Sequence, residues 1–226
     1  MDDPDAPGEA ARVASRDAVR DTYDRIAAHF SETRAHPWPQ IEAFLDGRAG
    51  DVGLDLGCGN GRHAEPLAAR CARVVGLDVS RALLDLAVER ARERGVEAAW
   101  VQGDAGRLPV RRDAVDLAVY VAALHHLPSR AARRGSLDEL ARVLAPTGAA
   151  LVSVWSTTHG KFDATEGFDT VVDWTLPDGE TVPRYYHIYD PAEFDADLAA
   201  SALAVERTFT DSGNCFAVVR VEGKRT

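Results

Sequence analysis

Apolar positions recur at helical spacing from Arg16 to about His29, where Val19, Tyr23, Ile26, Ala27 and Phe30 share one face. A Pro37-Trp38-Pro39 break then leads into a second short helix ending near Gly47. From there the period changes to short apolar runs, predicting strands over 52–57, 73–80, 96–104, 114–124 and 150–155. Helical patterns lie between them over 62–69, 81–93 (with Ser80 as N-cap) and 136–144. Residues 157–189 carry no clean period and are expected to form a long loop or lid. A helix over 191–200 follows, then two strands, 203–210 and 215–222, about the turn Asp211-Ser212-Gly213-Asn214. Strands alternating with helices across short connections predict a doubly wound α/β fold. Its sheet should be mostly parallel and seven-stranded, closed by a C-terminal antiparallel hairpin, with helices on both faces. One domain is expected over 16–226, comprising a helical cap (16–50), a core (51–155), the lid (156–189) and the terminal helix and hairpin (190–226). The acidic stretch 1–15 is expected to be a disordered tail.

Composition narrows the partners. The 226 residues are 46% hydrophobic, ordinary for a globular chain, but 36 Asp and Glu face 26 Lys and Arg for a net charge of -10. Lys161 and Lys224 are the only lysines. A uniformly basic nucleic-acid coat is excluded, so a polyanion would have to meet a local arginine patch. The acid-rich, lysine-poor balance suits a halophile, and genome composition accounts for it equally well. Cys58, Cys71 and Cys215 cannot form a full disulfide set and have no zinc-site spacing. With no apolar run of about 18 residues and no basic leader before an apolar stretch, a reduced cytoplasmic protein without membrane or metal is expected.

The chemistry concentrates at the strand ends. Asp55-Leu56-Gly57-Cys58-Gly59-Asn60-Gly61 closes the first strand, and its glycines permit a tight turn and close backbone approach to a ligand. The run departs from G-x-G-x-x-G, and Asp55 would attract a cationic cofactor where a pyrophosphate would be repelled. Asp78, some 20 residues on, can receive ribose hydroxyls. Asp104, after Gln102-Gly103, can accept from an adenine amino group. The simpler reading makes Asp55 and Asp104 helix caps. As a set the residues resemble the class I S-adenosylmethionine-dependent methyltransferases. The resemblance implies S-adenosylmethionine as cofactor and S-adenosylhomocysteine as product, held by Asp55, Gly57, Gly59, Asn60, Asp78, Val79, Asp104, Ala105 and Val121.

Further motifs address the acceptor. They are residues 24–34 followed by Trp38-Pro39; His125-His126-Leu127-Pro128-Ser129 with Arg133-Arg134; Ser153-Val154-Trp155; residues 185–189; and Ser212-Gly213-Asn214. In this order they closely resemble the tRNA wobble-uridine methyltransferases, which esterify a 5-carboxymethyl group on uridine 34, over nearly the whole chain. That resemblance implies a tRNA anticodon stem-loop as substrate and a heterodimer with a small zinc-binding activator protein. Arg34 is the first candidate to hold the acceptor carboxylate and His29 a weaker one, while His126 could orient the uracil. Arg133 or Arg134 could reach the carboxylate or a phosphate, with Arg130 and Arg184 extending the rim. Trp155, Tyr186 and His187 offer surfaces for an unstacked base. For each of these a packing or solvated role stands beside the functional one. Pro146-Thr147-Gly148 departs from the usual Pro-Gly-Gly, and the acidic 175–184 is unexpected for a surface facing RNA. A small-molecule methyltransferase and a non-catalytic cofactor-binding subunit remain alternatives.

Overall fold

The computed structural model describes Ala10 and residues 13–221. The expected tail thus lies largely outside the described residues. Helix α1 (Arg16–Glu32) starts at Ser15, whose side chain accepts from the Ala18 N–H at 3.1 Å. After α2 (Pro39–Leu45) come β1 (Gly50–Leu56), α3 (Ala64–Ala68), β2 (Cys71–Asp78), α4 (Arg81–Arg94), β3 (Ala99–Gln102) and β4 (Val115–Val121). A 3-10 turn (Leu124–His126) leads to α5 (Arg130–Val143) and β5 (Leu144–Trp155), then β6 (Phe168–Thr175), β7 (Thr181–Ile188), α6 (Pro191–Ala199), β8 (Leu203–Asp211) and β9 (Asn214–Val221).

Seven strands form one sheet in the order β3-β2-β1-β4-β5-β9-β8. The first five run parallel, and β9 and β8 return antiparallel, as the periodicity predicts. Their turn places Ser212 at φ 48 and Gly213 at φ 75, the paired positive φ that a tight hairpin needs. One sheet face packs against α5 and α6 through Leu137, Leu140, Phe194 and Leu198. The other packs against α2 and α3 through Ile41, Phe44, Leu45 and Leu67. Among the described residues no helix is long and apolar enough to cross a membrane.

Three expectations are corrected. Most of the stretch read as a lid is a second, two-stranded sheet, β6 with β7. Val182 and Arg184 through Ile188 are all buried, so β7 loses the alternation that marks a one-faced strand. Helix α5 begins six residues early because Ser129 caps it, accepting from the Ala132 N–H at 3.1 Å, and Gly135 does not interrupt it. Strand β5 runs back through Pro146-Thr147-Gly148, and the irregularity is taken up as a register shift between Val115 and Leu117 of β4.

The second sheet closes over the carboxyl ends of the parallel strands. Tyr189 donates its N–H to the Trp155 carbonyl at 3.1 Å, and Thr157 donates to the Tyr189 carbonyl at 2.8 Å, tying the end of β7 to β5. Helix α1 lies along α4 and also contacts β7. Cap and hairpin therefore meet above the strand ends, where doubly wound sheets take their ligands.

Candidate active site

Two adjoining cavities open at these strand ends, of about 300 Å³ and about 350 Å³. Tyr23, Phe30, Gly57, Gly59, Ala122 and His126 wall both.

The first cavity is lined by Gly57, Gly59, Asp78, Val79, Asp104 and Ala105. The glycine turn needs its glycines. At Gly57, φ is 69° and an added Cβ would lie 2.3 Å from that of Ala123. Asp78 shapes the turn, its carboxylate accepting from the Gly59 N–H at 2.8 Å and the Ser80 N–H at 2.9 Å. Each oxygen keeps acceptor capacity for a ligand hydroxyl. Asp104 accepts from the Gly106 N–H at 2.8 Å and is ion-paired with Arg16, so the start of α1 closes this cavity. Asp55 lies two residues before the turn, 1% exposed, with Oδ2 lacking any hydrogen-bond partner among the described residues. Burial pushes its carboxyl up to about 8, with Asp78 adding and Arg62 opposing. A buried carboxylate oxygen without a donor, beside a glycine cradle, fits a ligand carrying an ammonium group.

The second cavity has the opposite character. Arg34, Arg62 and Arg184 line it, and none of the three makes an ion pair among the described residues. Arg34 stacks on Phe30 and Trp174, its carbon 5.3 and 5.6 Å from their centroids. Arg62 lies over Trp38 at 5.6 Å, and burial with the nearby Arg34 lowers it to about 10, leaving it a cation at neutral pH. Arg184 is buried, Nη1 donating to the Tyr186 hydroxyl at 2.8 Å, while Nε lacks a partner. His63, also buried here, has Nε2 unpaired, and burial holds its ring neutral. Among the described residues three buried side-chain polar atoms lack partners: Asp55 Oδ2, His63 Nε2 and Arg184 Nε. Two line this cavity and the third lies at the glycine turn, the pattern of sites built for ligands.

The histidines of the 3-10 turn are held neutral. His126 Nδ1–H donates to the Tyr185 carbonyl at 2.9 Å, so Nε2 accepts from the Tyr23 hydroxyl at 2.8 Å. Burial takes His126 down to about 3. His125 Nδ1 accepts from the Trp155 N–H at 2.9 Å, and burial lowers it well below its ordinary value.

The structure redistributes the sequence candidates. Gly57, Gly59, Asp78, Val79, Asp104 and Ala105 gather at the first cavity, and Arg34, Tyr186 and Trp155 at the second. Val121, expected beside Asp104 and Ala105, lines the second cavity instead, because its side chain takes the sheet face opposite to that of Tyr120, which lines the first. Asn60 does too, and its amide fastens the end of α1, donating to the Ser31 hydroxyl and the Arg34 carbonyl, each at 3.0 Å. His126 lines both cavities with its two ring nitrogens engaged by the protein, on the Tyr23 hydroxyl and the Tyr185 carbonyl. His29 lines neither cavity. Its Nδ1 accepts from the Trp174 indole at 3.1 Å. Arg133 is 3% exposed, donating to the Tyr189 hydroxyl at 2.8 Å and pairing with Glu193 at 3.7 Å, away from both cavities. Arg130 and Arg134 each bind the buried Asp197 at 2.7 Å, so the two share one carboxylate of α6 and line neither cavity. His187 sits between Asp169 and Glu193. Sequence reasoning missed Arg62 and His63 as site residues. Their place immediately after Gly61, where the loop turns along the cavity, was the available signal.

Residues 54–148 match the family described as a methyltransferase domain. The chain is 39% identical over 139 residues to a tRNA (carboxymethyluridine(34)-5-O)-methyltransferase of Arabidopsis thaliana, covering 61% of this chain and 32% of that protein. It is 34% identical over 175 residues to a putative methyltransferase of Encephalitozoon cuniculi, covering 74% and 78%. The chain spans about a fifth to a third of the length of the curated relatives it matches first. In fold it resembles the structure described as a complex between the Haloferax volcanii Trm112 methyltransferase activator and a putative methyltransferase. The TM-score is 0.68 at 20% identity, over 92% of this chain and 99% of that one.

Proposed function

The chain belongs to the class I S-adenosylmethionine-dependent methyltransferases and is closely related to the tRNA (carboxymethyluridine(34)-5-O)-methyltransferases; from that premise we propose that it methylates the carboxylate of 5-carboxymethyluridine at tRNA position 34, giving the methyl ester. The observation that carries this reading is the arginine-lined cavity adjoining the carboxylate-bearing one. S-adenosylmethionine supplies an electrophilic methyl on a positively charged sulfur and leaves as S-adenosylhomocysteine. Asp55 would balance its ammonium group, Asp78 accept from its ribose, and Asp104 with Ala105 flank its adenine.

The acceptor carboxylate is ionised at neutral pH, so it needs no base. The methyl would pass from the sulfonium to a carboxylate oxygen, the carbon–sulfur electron pair remaining on sulfur, so the chain's residues would have no proton to move. The protein's part is to hold the anion in line and limit its solvation. Neutral, hydrogen-bonded His125 and His126 suit such a reaction, since neither is poised to take a proton near pH 7. The arginines suit it too, as fixed cations with planar donor edges.

The same reading makes the chain the catalytic subunit of a cytoplasmic heterodimer with a small zinc-binding activator, which would supply RNA-binding surface that an acidic chain lacks. The likeness to the Haloferax volcanii pair supports this. The test is nucleoside mass spectrometry on tRNA incubated with the chain, S-adenosylmethionine, and the activator present or absent. The methyl ester should appear only on tRNA bearing the carboxymethyl group. Methyl incorporation indifferent to that group would contradict the reading.

A further inference from the structure

We propose that Arg184, rather than Arg34, is the residue that reads the acceptor's negative charge, so that the site accepts a uridine acid and rejects the corresponding neutral amide. The inference rests on the function proposed above and adds the specificity determinant within that site.

Among the three cavity arginines Arg184 is the most withdrawn from water, at 7% exposure, while Arg34 and Arg62 are half-buried. It stands on β7 opposite Val172 of β6. Its guanidinium lies over the rings of Trp174 and Tyr186, 4.8 and 5.1 Å from their centroids. Nη1 is fixed on the Tyr186 hydroxyl. Among the described residues no carboxylate lies within ion-pairing distance of it, although the chain carries 36 acidic residues. The groups that feel its charge, Tyr23, His125 and His126, are neutral near pH 7 and balance nothing. By contrast Arg133, equally buried, has Glu193 as its counter-ion.

A buried guanidinium without a counter-ion is an incomplete pair. With Nη1 taken by Tyr186, the edge formed by Nε and Nη2 makes no hydrogen bond among the described residues, and its Nε is buried without a partner. That edge offers two parallel N–H donors, which match the two oxygens of one carboxylate. An amide would set an NH₂ group against one of them and leave a donor unpaired. The ester product carries no charge, so the contact that admits the substrate weakens once the methyl has arrived. Arg34, held by its stack on Phe30 and Trp174 and by the Thr33 carbonyl, sits further out, where an RNA phosphate is the fitting partner.

The test compares anticodon stem-loops carrying 5-carboxymethyluridine or 5-carbamoylmethyluridine, titrated against the S-adenosylhomocysteine-bound full chain with its activator. The wild type should bind the acid about 100-fold more tightly than the amide, a ratio typical of a buried charged contact. Arg184→Gln should bring that ratio close to one while S-adenosylhomocysteine affinity is kept. Arg184→Lys should restore part of it. If Arg184→Gln destabilises the chain, the wild type still decides the matter. The Nε–H resonance of Arg184, identified by its loss in Arg184→Lys, should shift on adding the acid stem-loop and stay in place with the amide. A retained acid preference in Arg184→Gln, or a resonance indifferent to the acid, overturns the assignment to Arg184 alone. A wild type that does not distinguish acid from amide overturns the functional reading as well.

Discussion

The two cavities share six wall residues and differ in sign. Around the first stand Asp78 and Asp104, with Asp55 buried beside its glycine turn. Around the second stand Arg34, Arg62 and Arg184 with no carboxylate paired to them among the described residues. A cationic donor and an anionic acceptor would each meet its complement across the wall of Tyr23, Phe30 and His126 that the two cavities share. The arginines of α5 show the alternative. Arg130, Arg133 and Arg134 are paired with Asp197 and Glu193, so they brace α5 against α6, and none of them lines either cavity. An arginine's counter-ion, more than its presence near the strand ends, separates a binding role from a structural one.

The largest effect is expected at Asp55. Asp55→Asn should weaken S-adenosylhomocysteine binding by more than about 100-fold, read by calorimetry, since the ammonium would lose its buried partner. The same change should stabilise the ligand-free chain. The folded carboxyl is raised from 3.8 to about 8, so it costs nothing below pH 4 and a growing amount as pH climbs from 4 to 8. The melting advantage of Asp55→Asn over wild type should therefore be larger at pH 8 than at pH 5. An advantage independent of pH would show that Asp55 is not held protonated.

Next comes the shared wall. Gly57→Ala puts a methyl at 2.3 Å from Ala123 in a left-handed backbone, and should cost about 2–4 kcal/mol in urea unfolding while impairing both cavities. Smaller and one-sided is Arg62→Gln. It should raise the KM for the RNA about tenfold, as fits one lost hydrogen bond to a charged group, and shift S-adenosylhomocysteine affinity far less, through its charge on Asp55 alone. Arg134→Gln should do the reverse, lowering the melting temperature by a few degrees with KM intact, because it loosens only the Asp197 clamp. The smallest expected effect is that of pH on the chemical step. With His126 down at about 3, single-turnover rates should show no histidine limb between pH 6 and pH 8. A rise across that window that survives saturating S-adenosylmethionine and is kept in Asp55→Asn would install a general base in the second cavity.

Sequence pattern carried the first cavity further than the second. Strands β1 and β2 end in glycines and aspartates whose spacing is local, so Asp55, Gly57, Gly59 and Asp78 could be read in order along the chain. The second cavity is assembled from α1, the glycine loop, β5, β7 and the β8–β9 turn, and no spacing records such a meeting. Strand β7 was hidden because burial on both sides, by Arg184 and His187 as well as Tyr185 and Ile188, erased the alternation that reveals strands. Arg133 and Arg134 read as candidates for the carboxylate or a phosphate because their counter-ions lie 60 and 63 positions away on α6. Long-range charge pairing decided these roles, and it has no local signature.

The most direct test of the opposed cavities is a crystal structure of the chain with S-adenosylhomocysteine and an anticodon stem-loop bearing 5-carboxymethyluridine. The account predicts the cofactor's amine on Asp55 and the uridine's carboxylate in the second cavity, on the open edge of Arg184. A carboxylate bound instead at Arg130 and Arg134, with Asp197 displaced, would contradict it.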